Sequence, residues 1–341
     1  MTQTDRQVIA IEKYGAAQAL QLRTRPTDPV GDDDVAIAVK YSGINFADIQ
    51  MRLGFYPDAP KRPFIPGYEV AGRIEQVGKN VTRFKVGDPV AAGTYFGGYA
   101  SRVTIPAIQA FPLPRGADLA EGAALPVNFF TAQLALFEMA RIRKGDKVLV
   151  ECATGGVGTL AIQMAHHVGA EVVGLTTSPG KKSYIEELGA TAYTRDEFYA
   201  DESITGFDFI LQASGGKEIK RQIPRMGITG RMVCMGINSG LKDGKRNYFR
   251  IAKAVVQTPR LSVIKMFDRN IGVYALNALH VLRDPKWVER LTASLDGVAA
   301  MKLKPHVGKV FAAADAPAAH EYLQTRQALG KVLLEWASPT P

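Results

Sequence analysis

The sequence of 341 residues predicts an α/β protein in which a partly open β-barrel is joined to a doubly wound parallel sheet. Short strands separated by Gly and Pro fill residues 1–127, and strands alternate with helices over 128–270. Strand patterns like those of the first part return near the end. We therefore expect 1–127 and 271–341 to form one discontinuous catalytic domain, with 128–270 as an inserted nucleotide-binding domain.

The barrel prediction rests on short, irregular strands. The stretches DVAIAVKYSG, YEVAGRIEQVG, GDPVAAG and ASRVTIPA are rich in Val, Ile and Ala, and turn residues separate them. Such a series of short strands is typical of a small barrel.

The second domain is predicted from its alternation. Four strands, KVLVEC, EVVGLT, FDFILQA and RMVCMG, are separated by stretches with helical periodicity at 128–141, 157–168, 180–188 and 217–225. Helices of that length between strands indicate a parallel sheet. After Gly236 we expect helices at 272–283 and 286–296, and then a strand, a helix and a strand that end the chain.

Composition excludes several classes of protein. Hydrophobic residues make up 46% and charged residues 22%, which excludes a disordered, collagen-like or coiled-coil chain. The start lacks the apolar core of a secretory signal, and Cys152 and Cys234 lack the clustering of a disulfide framework or zinc site. A cytoplasmic location is therefore expected. The net charge of +9 selects no particular partner.

A glycine-rich turn predicts the cofactor site. Strand 147–152 runs into Ala153, Thr154, Gly155, Gly156, Val157 and Gly158, and a helix follows. Glycines let the backbone approach a pyrophosphate, whose charge is met by free amides and by the helix dipole. Because this turn lies between a strand and a helix, the sequence favours a nucleotide over a merely structural turn.

The end of the next strand predicts which nucleotide is bound. A carboxylate there would bind the ribose of NAD, but residues 174–182 contain no acid. Thr177, Ser178 and Lys181 instead offer hydroxyls and positive charge to a 2′-phosphate, which predicts NADPH. Tyr193 and Arg195, after the following strand, are further candidates.

Motifs in both halves resemble those of one superfamily. GINFAD at 43–48, GFYP at 54–57, PGYEVAG at 66–72 and the glycine turn together resemble the medium-chain dehydrogenase/reductase superfamily. That resemblance implies a GroES-like catalytic domain and a Rossmann domain. In zinc-dependent members, Asn45 would be a cysteine and Tyr68 a histidine, so the resemblance implies no metal here. Within the superfamily the sequence is similar to the quinone oxidoreductase, or zeta-crystallin, branch and to the vesicle amine transport protein group.

The resemblance also implies roles for single residues. Thr131 is similar to the nicotinamide-side contact of the family, and Gly236, Ile237 and Asn238 are expected at the same end. Reduction of a quinone or enone forms an oxyanion, which without a metal needs hydrogen-bond donors. We choose Asn45 and Tyr56 as those donors, with Tyr56 also able to supply a proton. Gln50 lies where related quinone reductases often have a tyrosine.

The predicted function is therefore reduction of quinones or α,β-unsaturated carbonyls by NADPH without zinc. Two alternatives stay open: a 2-enoyl thioester reductase that uses Tyr56, and a lipid- or membrane-binding protein of the vesicle amine transport type with weak or no turnover.

A basic stretch bears on the partners. Between Lys242 and Arg269 there are eight Lys or Arg and two Asp, interleaved with apolar residues. We expect LSVIKMF at 261–267 to be an edge strand that pairs across a homodimer. Peripheral membrane contact through 245–267 is the alternative, and nucleic acid is not expected because no recognised binding module is present.

Overall fold

The computed structural model describes residues 5–236 and 247–337 of the chain. Within these ranges the strands are β1 Asp5–Ile11, β2 Leu20–Pro26, β3 Asp34–Ile44, β4 Glu69–Val77, β5 Pro89–Gly93, β6 Arg102–Pro106, β7 Ala110–Pro112, β8 Lys147–Val150, β9 Glu171–Thr176, β10 Thr191–Thr194, β11 Phe207–Gln212, β12 Met226–Cys234, β13 Gly272–Ala275, β14 Val307–Ala312 and β15 Lys331–Glu335.

The helices fall between these strands. They are α1 Phe46–Leu53, α2 Leu119–Ala123, α3 Pro126–Gln133, α4 Gly156–Val168, α5 Lys182–Glu187, α6 Arg195–Ala200, α7 Lys217–Gln222, α8 Tyr248–Gln257, α9 Val263–Arg269, α10 Ala278–Leu282, α11 Pro285–Ser294, α12 Asp296–Ala300 and α13 Ala316–Gln324. A π-helical segment, Leu134–Met139, continues α3, and single 3₁₀ turns occur at Ala17–Ala19, Ala107–Gln109, Pro179–Lys181, Ile223–Arg225 and Ala313–Asp315.

The first sheet contains strands from both ends of the chain. Its order is β14-β15-β3-β4-β5-β7, with β6 paired to β3, and β15 runs antiparallel to β3. The long β3 buries most of its residues because it is bordered by β4, β6 and β15. The Nε1 of the buried Trp336 donates to Ser42 Oγ at 2.8 Å, which fixes the end of the chain against β3.

The second sheet is fully parallel and six-stranded, in the order β10-β9-β8-β11-β12-β13. In terms of the order along the chain this is 3-2-1-4-5-6, the doubly wound arrangement that binds dinucleotides beside the first and fourth strands. Its central strands are buried on both faces, which explains their continuous apolar runs. The predicted α/β fold class is confirmed.

Two local predictions after residue 260 are wrong. LSVIKMF does not form an edge strand: Val263–Arg269 is helix α9, which ends at Asn270 in a left-handed conformation. Residues 272–283 do not form one helix, because Gly272–Ala275 is strand β13 and pairs with β12. The parallel sheet therefore extends past residue 271, where we had expected the chain to return to the first domain. The β-branched residues of LSVIKMF suggest a strand, but apolar content alone does not distinguish a short strand from an amphipathic helix.

Candidate functional site

The glycines of the turn have different structural roles. A Cβ on Gly156 would lie 2.5 Å from Asn128 Nδ2, and a Cβ on Gly158 would collide with the backbone oxygen of Cys152. These two glycines therefore let α3 and the β8 turn pack closely against α4. A Cβ on Gly155 would meet only Cys152 O, at 3.4 Å. The position beside Gly155 is therefore open enough for another group to approach the backbone there.

The beginning of α4 supports the same assignment. Gly155 is the N-cap residue and offers no side chain to the first amides of this 13-residue helix. Free amides and the positive end of the helix dipole attract a phosphate group. Ala153 and Thr154 line the turn, both buried, and Val157 begins the helix. The residues present therefore fit a dinucleotide.

The sequence analysis missed a buried acid beneath this turn. Glu151 follows β8 directly and is fully buried, and its Oε2 accepts hydrogen bonds from the backbone amides of Ala213 at 3.0 Å and Ser214 at 2.9 Å. Its Oε1 accepts from Arg195 at 2.9 Å. Glu151 thus ties the ends of β8 and β11 together, which are the strands that flank the cofactor crevice. Arg195 therefore forms a salt bridge with this acid, and the same Nη2 donates to Ser214 Oγ at 3.1 Å.

The residues predicted for the 2′-phosphate lie after β9. Thr177 is exposed and Ser178 half-buried, and the Ser178 amide donates to Thr176 Oγ1 at 3.1 Å. Tyr193 lies in the neighbouring strand β10 and packs on the core between the sheet and its helices.

Lys181 makes a contact that its sequence position does not reveal. Its Nζ donates to the backbone oxygens of Arg326 at 2.9 Å and Ala328 at 2.7 Å, so it joins the nucleotide domain to the loop before β15. Partial burial lowers the pKa of Lys181. The Gly330 amide strengthens this junction by donating to Thr154 O at 2.8 Å. Arg326 and Lys181 therefore lie at the same edge of the cofactor crevice, where a phosphate group would compete for Lys181.

Only some of the residues predicted for the nicotinamide end belong to the part of the chain that the structure describes. Thr131 is buried on α3, the helix whose Asn128 contacts Gly156. Gly236 follows β12 at the carboxyl edge of the parallel sheet. Ile237 and Asn238, like Lys245, lie outside the described residues.

On the barrel side, Asn45 belongs to a charged network. It lies between β3 and α1, and its Nδ2 donates to Glu69 Oε1 at 2.9 Å, while Lys331 Nζ donates to its Oδ1 at 2.6 Å. Lys331 and Glu69 also form a buried ion pair with each other. Lys331 lies near the other end of the chain, so the sequence alone does not reveal it as the partner of Glu69.

Helix α3 connects this network to the glycine turn. The second carboxylate oxygen of Glu69 accepts a hydrogen bond from the Val127 amide at 2.7 Å, at the beginning of α3. A carboxylate at that end interacts favourably with the helix dipole. The next residue, Asn128, contacts Gly156 of the cofactor turn. Helix α3 therefore contacts both parts of the candidate site. It is connected to Asn45 through Glu69 and to the glycine turn through Asn128.

Asp48 fixes the backbone beneath Asn45. Its Oδ2 accepts hydrogen bonds from the backbone amide of Asn45 at 2.7 Å and from Tyr99 Oη at 3.2 Å. Its Oδ1 accepts a hydrogen bond from the backbone amide of Gly67 at 3.1 Å. The Tyr99 hydroxyl also contacts His320 Nε2 at 3.0 Å. Burial raises the pKa of Asp48 to about 7, although these hydrogen bonds oppose the shift. Asp48 therefore supports the backbone on which Asn45 is held.

Tyr56 and Gln50 lie near this network. Tyr56 is half-buried and its ring packs edge-to-face on Tyr68, with centroids 6.3 Å apart. Tyr68 directly precedes Glu69 and packs in turn on Phe96. Burial raises the pKa of Tyr56, so its hydroxyl keeps its proton at neutral pH. Gln50 is half-buried on α1, one turn beyond Asn45.

Across 5–236 and 247–337, His, Cys, Asp and Glu side chains form no group of three or more that could hold a metal ion. In the same part of the chain, every helix is too short or too polar to cross a bilayer.

Comparison with known proteins identifies the family. Residues 31–115 match the alcohol dehydrogenase GroES-like domain, and residues 156–271 match the zinc-binding dehydrogenase family. The synaptic vesicle membrane protein VAT-1 homolog of Danio rerio is 30% identical over 96% of this chain and 69% of its own. The chain belongs to the medium-chain dehydrogenase/reductase superfamily. A quinone oxidoreductase of Rattus norvegicus, another similar member, is 29% identical over 96% of both chains.

Solved structures of the superfamily share the fold over nearly the whole chain. The human VAT-1 homolog-like protein superposes with a TM-score of 0.83 at 25% identity and covers 99% of both chains. The CurK enoyl reductase superposes with a TM-score of 0.82 at 25% identity, covering 97% of this chain and 99% of its own. Membership confirms the prediction of an oxidoreductase with a nicotinamide cofactor.

Proposed function

We propose that this protein reduces quinones or α,β-unsaturated carbonyls with NADPH and without zinc. The observation that carries the proposal is the Asn45 side-chain amide, which the buried Lys331–Glu69 ion pair holds. Glu69 also bonds to the beginning of α3, and α3 packs on the cofactor turn. The quinone oxidoreductase relative supports this substrate class.

Different residues would bind the two ends of the cofactor. Gly155 and the first amides of α4 would hold the pyrophosphate, and Ser178 and Lys181 would face the 2′-phosphate. When bound, NADPH supplies the hydride. Thr131 and Gly236 would lie toward the nicotinamide ring.

The barrel residues would stabilise the charge that forms on the substrate. The Asn45 amide donates a hydrogen bond to the carbonyl oxygen as it becomes an oxyanion. Tyr56, which burial keeps protonated, donates a second hydrogen bond and then its proton. Gln50 would offer a further amide from α1.

Independence from zinc is supported by what occupies the place of the metal ligands. Asn45 and Tyr68 stand where zinc-dependent relatives have a cysteine and a histidine, and neither provides a thiolate or imidazole. The Lys331 ammonium already lies between Asn45 and Glu69. A divalent cation at this position would be repelled by that ammonium.

A 2-enoyl thioester reductase is the second candidate. The position of Tyr56 and the structural similarity to the CurK enoyl reductase favour it. It uses the same cofactor end of the crevice and differs in the acceptor.

One assay separates these candidates. Oxidation of NADPH, and separately of NADH, is followed with ortho- and para-quinones, enones and enoyl thioesters, using wild type, Asn45→Ala and Tyr56→Phe. We expect fast turnover of a quinone or enone with NADPH, and a loss of roughly 100-fold in kcat for Asn45→Ala. Selective turnover of enoyl thioesters that depends on Tyr56 would establish the second candidate instead. Tight NADPH binding without turnover of any acceptor would contradict both.

We further propose a cytoplasmic homodimer. The two cysteines are free thiols, which suits a reducing compartment. Strand β13 is the edge of the parallel sheet, and helices α8 and α9, which precede it in the chain, expose apolar side chains, namely Phe249, Val256, Val263, Ile264 and Phe267. A second copy that pairs along β13 would cover an open sheet edge and this apolar surface together.

Sedimentation velocity tests the dimer. We expect a dimer for wild type and a shift toward monomer for Phe267→Asp, which places a charge on the apolar surface. A monomeric wild type that sediments with anionic phosphatidylserine vesicles would contradict the dimer and support membrane contact through 245–267.

A further inference from the structure

Lys331 is a buried charge whose position needs an explanation. Its side chain is 3% exposed at the beginning of β15, where it pairs with the fully buried Glu69. Burying two charges is costly, and apolar residues of similar size often stabilise a fold as well or better. Stability alone therefore does not account for a lysine here.

The ion pair determines which way the Asn45 amide faces. An ammonium only donates hydrogen bonds and a carboxylate only accepts them. Lys331 Nζ donates to Asn45 Oδ1 at 2.6 Å, and Asn45 Nδ2 donates to Glu69 Oε1 at 2.9 Å. Reversing the amide would set its nitrogen against the ammonium and its oxygen against the carboxylate. Only one orientation satisfies both charges.

This orientation leaves a donor for a ligand. The Asn45 amide nitrogen carries two hydrogens, and Glu69 takes one of them. The residue itself is only half-buried, and its backbone is fixed separately by Asp48. The positive charge on the oxygen end of the amide also makes the nitrogen end a stronger donor.

We propose that Lys331 is a positioning residue: together with Glu69 it orients and polarises the Asn45 amide, so that the second Nδ2 hydrogen is directed at the substrate oxygen that becomes negative. The inference rests on the proposed function. It names the residue that gives this site a donor of fixed direction.

The test removes both buried charges at once. Lys331→Met/Glu69→Gln leaves no unpaired charge in the core, so it keeps the fold while it removes the constraint on Asn45. Lys40→Met is the matched control, because Lys40 pairs with Glu335 of the same strand β15 at the surface. Each protein is assayed for kcat and KM with 9,10-phenanthrenequinone and NADPH. Urea unfolding verifies that each protein is folded.

A second readout does not depend on turnover. With NADP⁺ present, we measure binding of 4-nitrophenolate, an aromatic oxyanion, and of 4-nitroanisole, its neutral analogue. We expect wild type and Lys40→Met to prefer the anion. In the double variant we expect roughly ten-fold weaker binding of 4-nitrophenolate, unchanged binding of 4-nitroanisole and a roughly 10- to 100-fold lower kcat with little change in KM.

The outcomes separate the inference from the proposed function. A folded double variant with wild-type kcat and a wild-type preference for 4-nitrophenolate would overturn the role of Lys331. If wild type turns over no acceptor, the proposed function fails. The binding of 4-nitrophenolate and 4-nitroanisole then tests the positioning role of Lys331 independently of turnover. A preference for the anion that the double variant loses supports the role, and equal binding of both probes by wild type overturns it.

Discussion

The cofactor turn and the Asn45 network are built in opposite ways. The turn uses consecutive residues, and its features are backbone amides, missing Cβ atoms and the end of one helix. The network uses side chains far apart in sequence, since 286 residues separate Asn45 from Lys331. The comparison shows that a site for a constant phosphate group can be encoded locally. The proposed oxyanion donor, in contrast, depends on charges that the barrel brings together.

The largest effect is expected when the network loses its carboxylate. Glu69→Ala leaves the Lys331 ammonium buried without a partner, and we expect the free energy of unfolding to fall by about 3–5 kcal/mol. Urea unfolding measures it. The control is Glu335→Ala, which breaks the partly exposed pair with Lys40 and should cost no more than about 1 kcal/mol. Equal losses in the two variants would show that burial does not distinguish the pairs.

Within the turn, two glycines should respond differently to the same added methyl group. Gly158→Ala forces the backbone of Cys152 aside, and we expect a loss of about 1–3 kcal/mol in unfolding free energy. Gly155→Ala should cost less than about 1 kcal/mol but weaken NADPH binding at least ten-fold, since its Cβ enters the space left for the pyrophosphate. Thermal unfolding and NADPH fluorescence titration measure the two effects. Unchanged NADPH affinity in Gly155→Ala would contradict the assignment of that space.

Asp48 should make the network sensitive to pH. Its pKa is about 7 in the folded protein and about 3.9 in the unfolded chain, so between these values the folded state holds one more proton. This group therefore stabilises the fold at low pH, and its contribution falls by up to about 1.4 kcal/mol per unit as pH rises toward 7. Urea unfolding from pH 4.5 to 7.5 should show this slope in wild type relative to Asp48→Asn. Parallel curves would mean that Asp48 is ionised throughout this range.

The smallest effect is expected at the edge of the cofactor crevice. Lys181→Met should weaken NADPH binding about ten-fold, equivalent to about 1.4 kcal/mol, and leave NADH binding unchanged. Lys182→Met is the control because Lys182 pairs with Glu197 on the surface. Both affinities follow from fluorescence titration. If Lys181→Met weakens both coenzymes equally, then its bonds to Arg326 and Ala328 matter more than a 2′-phosphate contact.

The sequence predicted best where the determinants are local. The alternation of strands and helices predicted the parallel sheet, and the position of Gly155 between β8 and α4 predicted a cofactor turn. Prediction failed at Val263–Arg269, where β-branched residues form a helix, and at Gly272–Ala275, which forms the last strand of the sheet. In such short segments the intrinsic preference for strand or helix is weak, and pairing or packing with neighbouring elements determines the secondary structure.

The sequence by itself determined the parallel sheet, the glycine turn between a strand and a helix, and an amide at Asn45 instead of a thiolate. Only the tertiary structure decided what that amide does. It brought Lys331 to the oxygen of Asn45 and Glu69 to the nitrogen, attached Glu69 to α3, and paired Arg195 with Glu151. The physical reason is that a backbone motif carries its own geometry. The direction of a side-chain amide depends on which charges the fold places at its two ends.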